Sequence, residues 1–236
     1  SKMNGDAATE KTFQLLKREL KRIKWLDPST MDLVFDKYPW LGVQRGEILT
    51  AFCSLMHPIM AKKNALAFSK INILDTISNS RYINFTAAIA DLFLARFDPQ
   101  NPLSDADLES QSSDLRSKIE ADVEDTAAVE LLNKMLDIIG HTLRTNAYME
   151  DRYALGLRLD PRAMVAEGEN RELPYGVLFA HGRRFNAYHV RFRDISRGGM
   201  RLVTPGSAEQ YAIESARHFD ECYGLAYAQQ LKNKDI

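Results

Sequence analysis

The sequence predicts an α+β fold: a mainly helical N-terminal part followed by a small mixed or antiparallel sheet with a helix after it. Three observations carry this. Apolar residues recur every three to four positions over most of the first 143 residues. The period then changes to two near Asn146, and helix-type spacing returns after a capping-box pattern at Ser207. These periods are those of helices and strands with one buried face.

The elements follow in order. Phe13, Leu16, Leu20 and Ile23 alternate with Lys17, Arg18, Lys21, Arg22 and Lys24, which predicts an amphipathic helix with a basic, solvated outer face, stopped by Asp27-Pro28. Ser29 to Tyr38 and Arg45 to Ala61 read as two helices separated by Pro39-Trp40-Leu41-Gly42, with Pro58 placed to kink or end the second. Ile71-Asn72-Ile73-Leu74 fits a short strand or a helix start equally, because so brief a run has no readable period. Ile83, Ala87, Ala90, Leu94 and Phe97 mark a helix closed by Asp98-Pro99. Residues 98–125 are rich in Asp, Glu, Ser and Gln; they read as a solvated linker, with a sparse surface helix through Leu108, Leu115, Ile119 and Val123. Val129, Leu132, Leu136, Ile139 and Leu143 restore a buried-face helix.

The two-residue period opens with Tyr153, Leu155, Leu157 and Leu159, and Asp160-Pro161 ends that strand. A second strand starts at Tyr175. The four residues His181-Gly182-Arg183-Arg184 turn it into a third, Phe185 to Asp194, so the pair forms a hairpin. Tyr188, Val190 and Phe192 face one side of the third strand, and His189, Arg191 and Arg193 the other. A division near residue 146 separates a helical region, 1–145, from a second unit, 146–236.

Composition narrows the function. Of 236 residues, 45% are hydrophobic, which suits a buried core. A formal net charge of -1 gives no electrostatic reason to expect nucleic acid or a membrane surface as partner. No apolar run approaches the roughly 20 residues that span a bilayer, and residues 1–10 have no signal-peptide pattern. Two cysteines, Cys53 and Cys222, are too few for a disulfide framework and fit a reducing compartment. His181 and His189 have no cysteine or carboxylate partner at ligand spacing, so no metal site is expected.

The chemistry concentrates near the C-terminal end. Arg197-Gly198-Gly199 follows the third strand, with Arg201 close behind. A glycine pair lets backbone approach a ligand closely, and forked guanidinium donors suit a carboxylate or phosphate; the same tripeptide also makes an ordinary turn. Tyr223, Ala226, Gln229 and Lys232 share one helix face. A lysine at a helix C-terminus is also favoured by the last carbonyls alone. Spacing leaves both alternatives open.

The run from Asn186 to Arg201, followed by Asp220-Glu-Cys-Tyr-Gly-Leu-Ala-Tyr-Ala-Gln-Gln-Leu-Lys-Asn-Lys-Asp-Ile, resembles the large NAD-specific glutamate dehydrogenases. Thr145-Asn146 and the Ala-Leu-Gly-Leu-Arg-Leu-Asp-Pro segment at 154–161 fit the region before it. The resemblance covers roughly residues 140–236, and the helical first part is compatible with that family's long N-terminal extension.

The resemblance implies an oxidoreductase that reversibly deaminates L-glutamate to 2-oxoglutarate and ammonia with NAD, and residues 146–236 as the beginning of its substrate-binding domain. Arg197 takes the place of a lysine that holds the distal carboxylate in compact relatives, and the large forms carry arginine there. Gly198 and Gly199 shape the pocket floor, and Lys232 falls on the lysine that binds the α-carboxylate. The catalytic lysine is expected beyond Ile236, so no residue here, Lys234 included, is assigned that role. NAD is expected on a C-terminal domain outside the chain, which has no Gly-x-Gly-x-x-Gly after a strand. The parent enzyme is expected to be a homo-oligomer in the cytoplasm or mitochondrion. Two other readings remain: residues 1–145 as an oligomerisation or regulatory module, inactive alone, and a dehydrogenase for a different amino acid.

Overall fold

Asp27 caps the helix that follows it. In the computed structural model, which describes residues 23–149, 152–164, 175–183, 185–191 and 199–203 together with Phe13, Lys17, Leu20 and Leu173, its carboxylate accepts from the Ser29 backbone N–H at 2.8 Å. Pro28 occupies the first turn, where no N–H is needed. The resulting helix α1 (Pro28–Met31) widens into a π-helical segment, Asp32–Lys37, and Pro39–Leu41 forms a 3-10 turn. Upstream, Phe13, Lys17, Leu20 and Ile23 are helical, as the period predicts. Phe13 and Leu20, of the face expected to be buried, are exposed.

Gly42 links these turns to helix α2 (Gly42–Met60) with φ 75°, a region that side chains disfavour. Nearly every residue of α2 from Gly46 onward is buried. A helix enclosed on all sides needs apolar residues all round, not a stripe. Gly46 permits its contact with the Asp32–Lys37 segment, since a Cβ there would come 2.2 Å from Val34 Cγ1. The hydroxyls of Thr30 and Thr50 meet beside it at 2.6 Å.

Helix α3 (Lys70–Ile77) settles the ambiguous stretch at 71–74 as helical, because the Ser69 hydroxyl accepts from the Asn72 N–H and caps it. Helix α4 (Ile83–Arg96) packs Phe93 edge-on against Phe52, with ring centroids 5.5 Å apart. The region read as a linker forms an 18-residue helix, α5 (Asp105–Asp122), capped by Ser104. Leu108, Ile119 and Val123 are buried, and Arg116 reaches Asp137 of the following helix at 2.5 Å. Its polar composition describes only the outer face. Helix α6 (Thr126–His141) is capped by Asp125.

The sheet is a five-stranded antiparallel meander in the order β1-β2-β3-β4-β5. Its strands are β1 (Thr142–Thr145), β2 (Ala154–Leu159), β3 (Gly176–Gly182), β4 (Phe185–Arg191) and β5 (Gly199–Val203). Two of these correct the sequence reading. Helix α6 stops at His141, with the Thr142 hydroxyl on the Ile138 carbonyl at 2.6 Å, and the chain enters β1 at once. Strand β5 starts at Gly199, inside the segment read as a turn. The hairpin turn is also shorter than four residues, since Gly182 already pairs with Phe185. A Cβ on Gly182 would lie 2.8 Å from the Phe185 ring.

One face of the sheet closes on the helices. Leu155, Leu157, Leu159, Val177, Phe179 and Tyr188 join Phe52, Phe93 and Leu136 in a continuous core. The other face carries a small cluster of Ala180, Ala187 and Phe185. Tyr153, expected on the buried face, is exposed at the strand's mouth and meets Trp25 edge-on at 4.5 Å. No helix among the described residues is long and apolar enough to cross a membrane.

Candidate functional site

Asn146, Tyr148 and Arg152, which lie shortly before β2, are each held by side-chain hydrogen bonds. Asn146 acts as an extra rung of the ladder: its amide donates to the Ala154 carbonyl at 3.0 Å and accepts from the Gly156 N–H at 2.7 Å. Tyr148 donates to the Leu94 carbonyl at 2.9 Å. Arg152 is buried, donates to the Met149 carbonyl at 2.9 Å and pairs with the carboxylate of Glu47 on α2. Two charges removed from water hold one another only through such direct contact.

Strand β4 is fixed from below. The Tyr188 hydroxyl donates to the Ser54 carbonyl of α2 at 3.0 Å. That carbonyl is available because Pro58, four residues on, has no N–H to give it. The surroundings are dry. Burial pushes the Tyr188 phenol up, with the nearby Cys53 adding to the rise. Burial also raises the Cys53 thiol to about 12, and burial followed by the Lys70 charge lowers His57 to about 4. All three groups are therefore neutral at physiological pH.

Strand β4 passes this position on to β5. Tyr188 pairs with Arg201, His189 with Met200, and Val190 with Gly199. Of the four residues expected to hold substrate, Gly199 is thus the first residue of β5, in register with Val190. Arg197, Gly198 and Lys232 lie outside the described residues, as do the predicted helix from Ser207 and Cys222.

The two histidines of the hairpin do not meet. Directly opposed residues share a face, and faces alternate along a strand. His181 pairs with Asn186 on the face of Phe179 and Tyr188, whereas His189 pairs with Leu178 on the other. His181 is buried, with Nδ1 2.7 Å from Asn186 Oδ1, an arrangement in which the ring donates. Among the described residues no group of three His, Cys, Asp or Glu side chains could hold a metal.

The described residues also lack the unit by which a doubly wound fold binds a dinucleotide. Such a site needs a parallel strand–helix–strand unit with a glycine-rich turn at a helix N-terminus, and the sheet here is antiparallel throughout. The sequence reading missed the Glu47–Arg152 and Ser54–Tyr188 contacts. Pro58 was the one local signal, since it marks a carbonyl without its helical partner; nothing local points to a tyrosine 134 positions from Ser54.

A fold of this kind, with a glycine-initiated strand docked on a sheet above a helical layer, is that of an α+β domain. Residues 115–236, just over half the chain, match the family described as bacterial NAD-glutamate dehydrogenase, catalytic domain. The chain belongs to this family. It is 40% identical over 124 residues to glutamate dehydrogenase 2 of Dictyostelium discoideum, which covers 52% of this chain and 12% of that protein. It is 42% identical over 107 residues to the NAD-specific glutamate dehydrogenase of Saccharomyces cerevisiae, covering 45% and 10%. The enzyme of that name from Neurospora crassa is 37% identical over 122 residues, covering 52% and 12%. The matched stretch is thus about a tenth of the length of these relatives.

Proposed function

We propose that this chain is a segment of a longer NAD-dependent glutamate dehydrogenase, and that it supplies the groups that hold the substrate's two carboxylates. The observation that carries the reading is the family match, whose residues 115–236 include Arg197, Gly198, Gly199 and Lys232. The reaction is the reversible oxidative deamination of L-glutamate to 2-oxoglutarate and ammonia.

In this reading residues 146–236 open the substrate-binding domain. Arg197 holds the distal carboxylate with its forked donors, Lys232 holds the α-carboxylate, and the Gly198-Gly199 backbone lets the substrate lie close. A pocket built to pair two carboxylates rejects an aliphatic amino acid, which leaves one cation buried and unmatched. The lysine that activates the attacking water or ammonia, and the NAD-binding domain, belong to other parts of the enzyme. Supporting the arrangement is the placement of Gly199 on a strand whose neighbour is fastened to the helical layer.

The test is Arg197→Ala and Lys232→Ala in the full-length enzyme. A charge-assisted hydrogen bond contributes about 1.5–3 kcal/mol, so each change should raise the KM for glutamate roughly ten- to hundredfold. An unchanged KM in both variants would remove the basis for the two-carboxylate pocket.

A further inference from the structure

We infer that Tyr188 is a positioning residue, whose hydroxyl on the Ser54 carbonyl ties the strand next to Gly199 to helix α2 and so sets the height of the substrate-holding backbone. The inference rests on the proposed role of the Arg197-Gly198-Gly199 motif. Its geometry does not.

Three features make the tie specific. First, the acceptor is vacant by construction: Ser54 sits one helical step before Pro58, so its carbonyl has no donor at position 58. Ser54 is itself buried, and a buried carbonyl without a donor is costly. Second, the donor comes from the sheet, 134 residues away, across the interface between the two layers. Third, the ring is held in place. Tyr188 is 5% exposed and packs on Phe179 of β3, with centroids 5.0 Å apart. A stiff aromatic side chain therefore bridges backbone to backbone. Tyr188 lies two residues from Val190, the partner of Gly199, and is itself opposite Arg201. Proline within α2 thus serves to export a hydrogen-bond acceptor to the sheet.

The experiment separates positioning from plain stability. Tyr188→Phe keeps the ring and removes the hydroxyl; Pro58→Ala in the same background returns a helical N–H to Ser54. In the full-length enzyme, Tyr188→Phe should lower the Tm and raise the KM for glutamate about fivefold, the factor equivalent to a net hydrogen bond of ~1 kcal/mol, with kcat less affected. The double variant should regain the Tm while its KM stays raised, because the carbonyl is satisfied but the strand is still untied. A KM that Tyr188→Phe leaves unchanged, or that recovers together with the Tm, overturns the positioning role. A Tm that Pro58→Ala fails to restore overturns the claim that Pro58 creates the vacancy. If Tyr188→Phe alone does not accumulate, the double variant, with Ser54 paired, gives the same split against wild type. A wild-type enzyme without glutamate-dependent NAD reduction would count against the proposed function, while the Tm readings would still decide the Pro58 claim.

Discussion

At the scale of single residues, three ionisable groups at the C-terminal half of α2 are held neutral. Cys53, His57 and Tyr188 all lie on or against the C-terminal half of that helix, and burial is the largest cause of the shift in each. His57 has the consequence that falls in an accessible pH range. Its folded value, about 4, lies below the ordinary 6.5. Between these values the unfolded chain binds a proton that the folded chain refuses, so stability falls as pH falls through this window. The Tm of the chain should therefore drop on acidification from pH 6.5 towards 4, and the slope should be shallower in His57→Gln. Calorimetric scans of both proteins across the window check this, and equal slopes would show that His57 does not contribute. The sequence carried no hint of it: a histidine before a proline near a helix end reads as surface, and only the enclosure of α2 by helices and sheet makes it interior.

At the scale of elements, α2 is the hub. It meets the Pro28–Lys37 segment at Gly46, α4 at Phe52, the connection before β2 at Glu47 and β4 at Ser54. The Glu47–Arg152 pair should be sensitive to single changes. Removing one partner strands the other charge, at about 3–5 kcal/mol. Glu47→Ala and Arg152→Ala should each lower the denaturant midpoint by that equivalent, and Glu47→Leu with Arg152→Met should recover most of it. Single variants that unfold at the wild-type midpoint would contradict the account. Helices α4 and α6 were legible because their periods survive burial, and β2 and β4 because one face of each alternates. Helix α5 was half-legible. Its apolar stripe could be read, but an acidic outer face outweighed Leu108, Ile119 and Val123 in composition. Strand β1 was hidden because only a few residues follow α6 before the chain turns, and β5 because its glycine start reads as a turn.

At the scale of the whole molecule, helical layer and sheet share one core that runs unbroken past residue 146. The outer elements of the meander, β1 and β5, are tied inward strand by strand. The candidate site was legible only in part. Spacing alone left Arg197 evenly divided between a turn and an anion site, and favoured a plain helix end for Lys232; only the order of two separated motifs pointed to a family, and the match over residues 115–236 shows that family. What no local pattern carries is the backing of Gly199, since that depends on contacts between residues more than 100 positions apart, Glu47 with Arg152 and Ser54 with Tyr188. The most direct test of the central claim is substrate selectivity of the full-length enzyme, read as NAD reduction with L-glutamate against an aliphatic amino acid such as L-leucine or L-valine. The two-carboxylate pocket predicts turnover with glutamate, and a kcat/KM lower by several orders of magnitude for the aliphatic substrates. Comparable turnover of both, or turnover of glutamate by residues 1–236 alone, would contradict it.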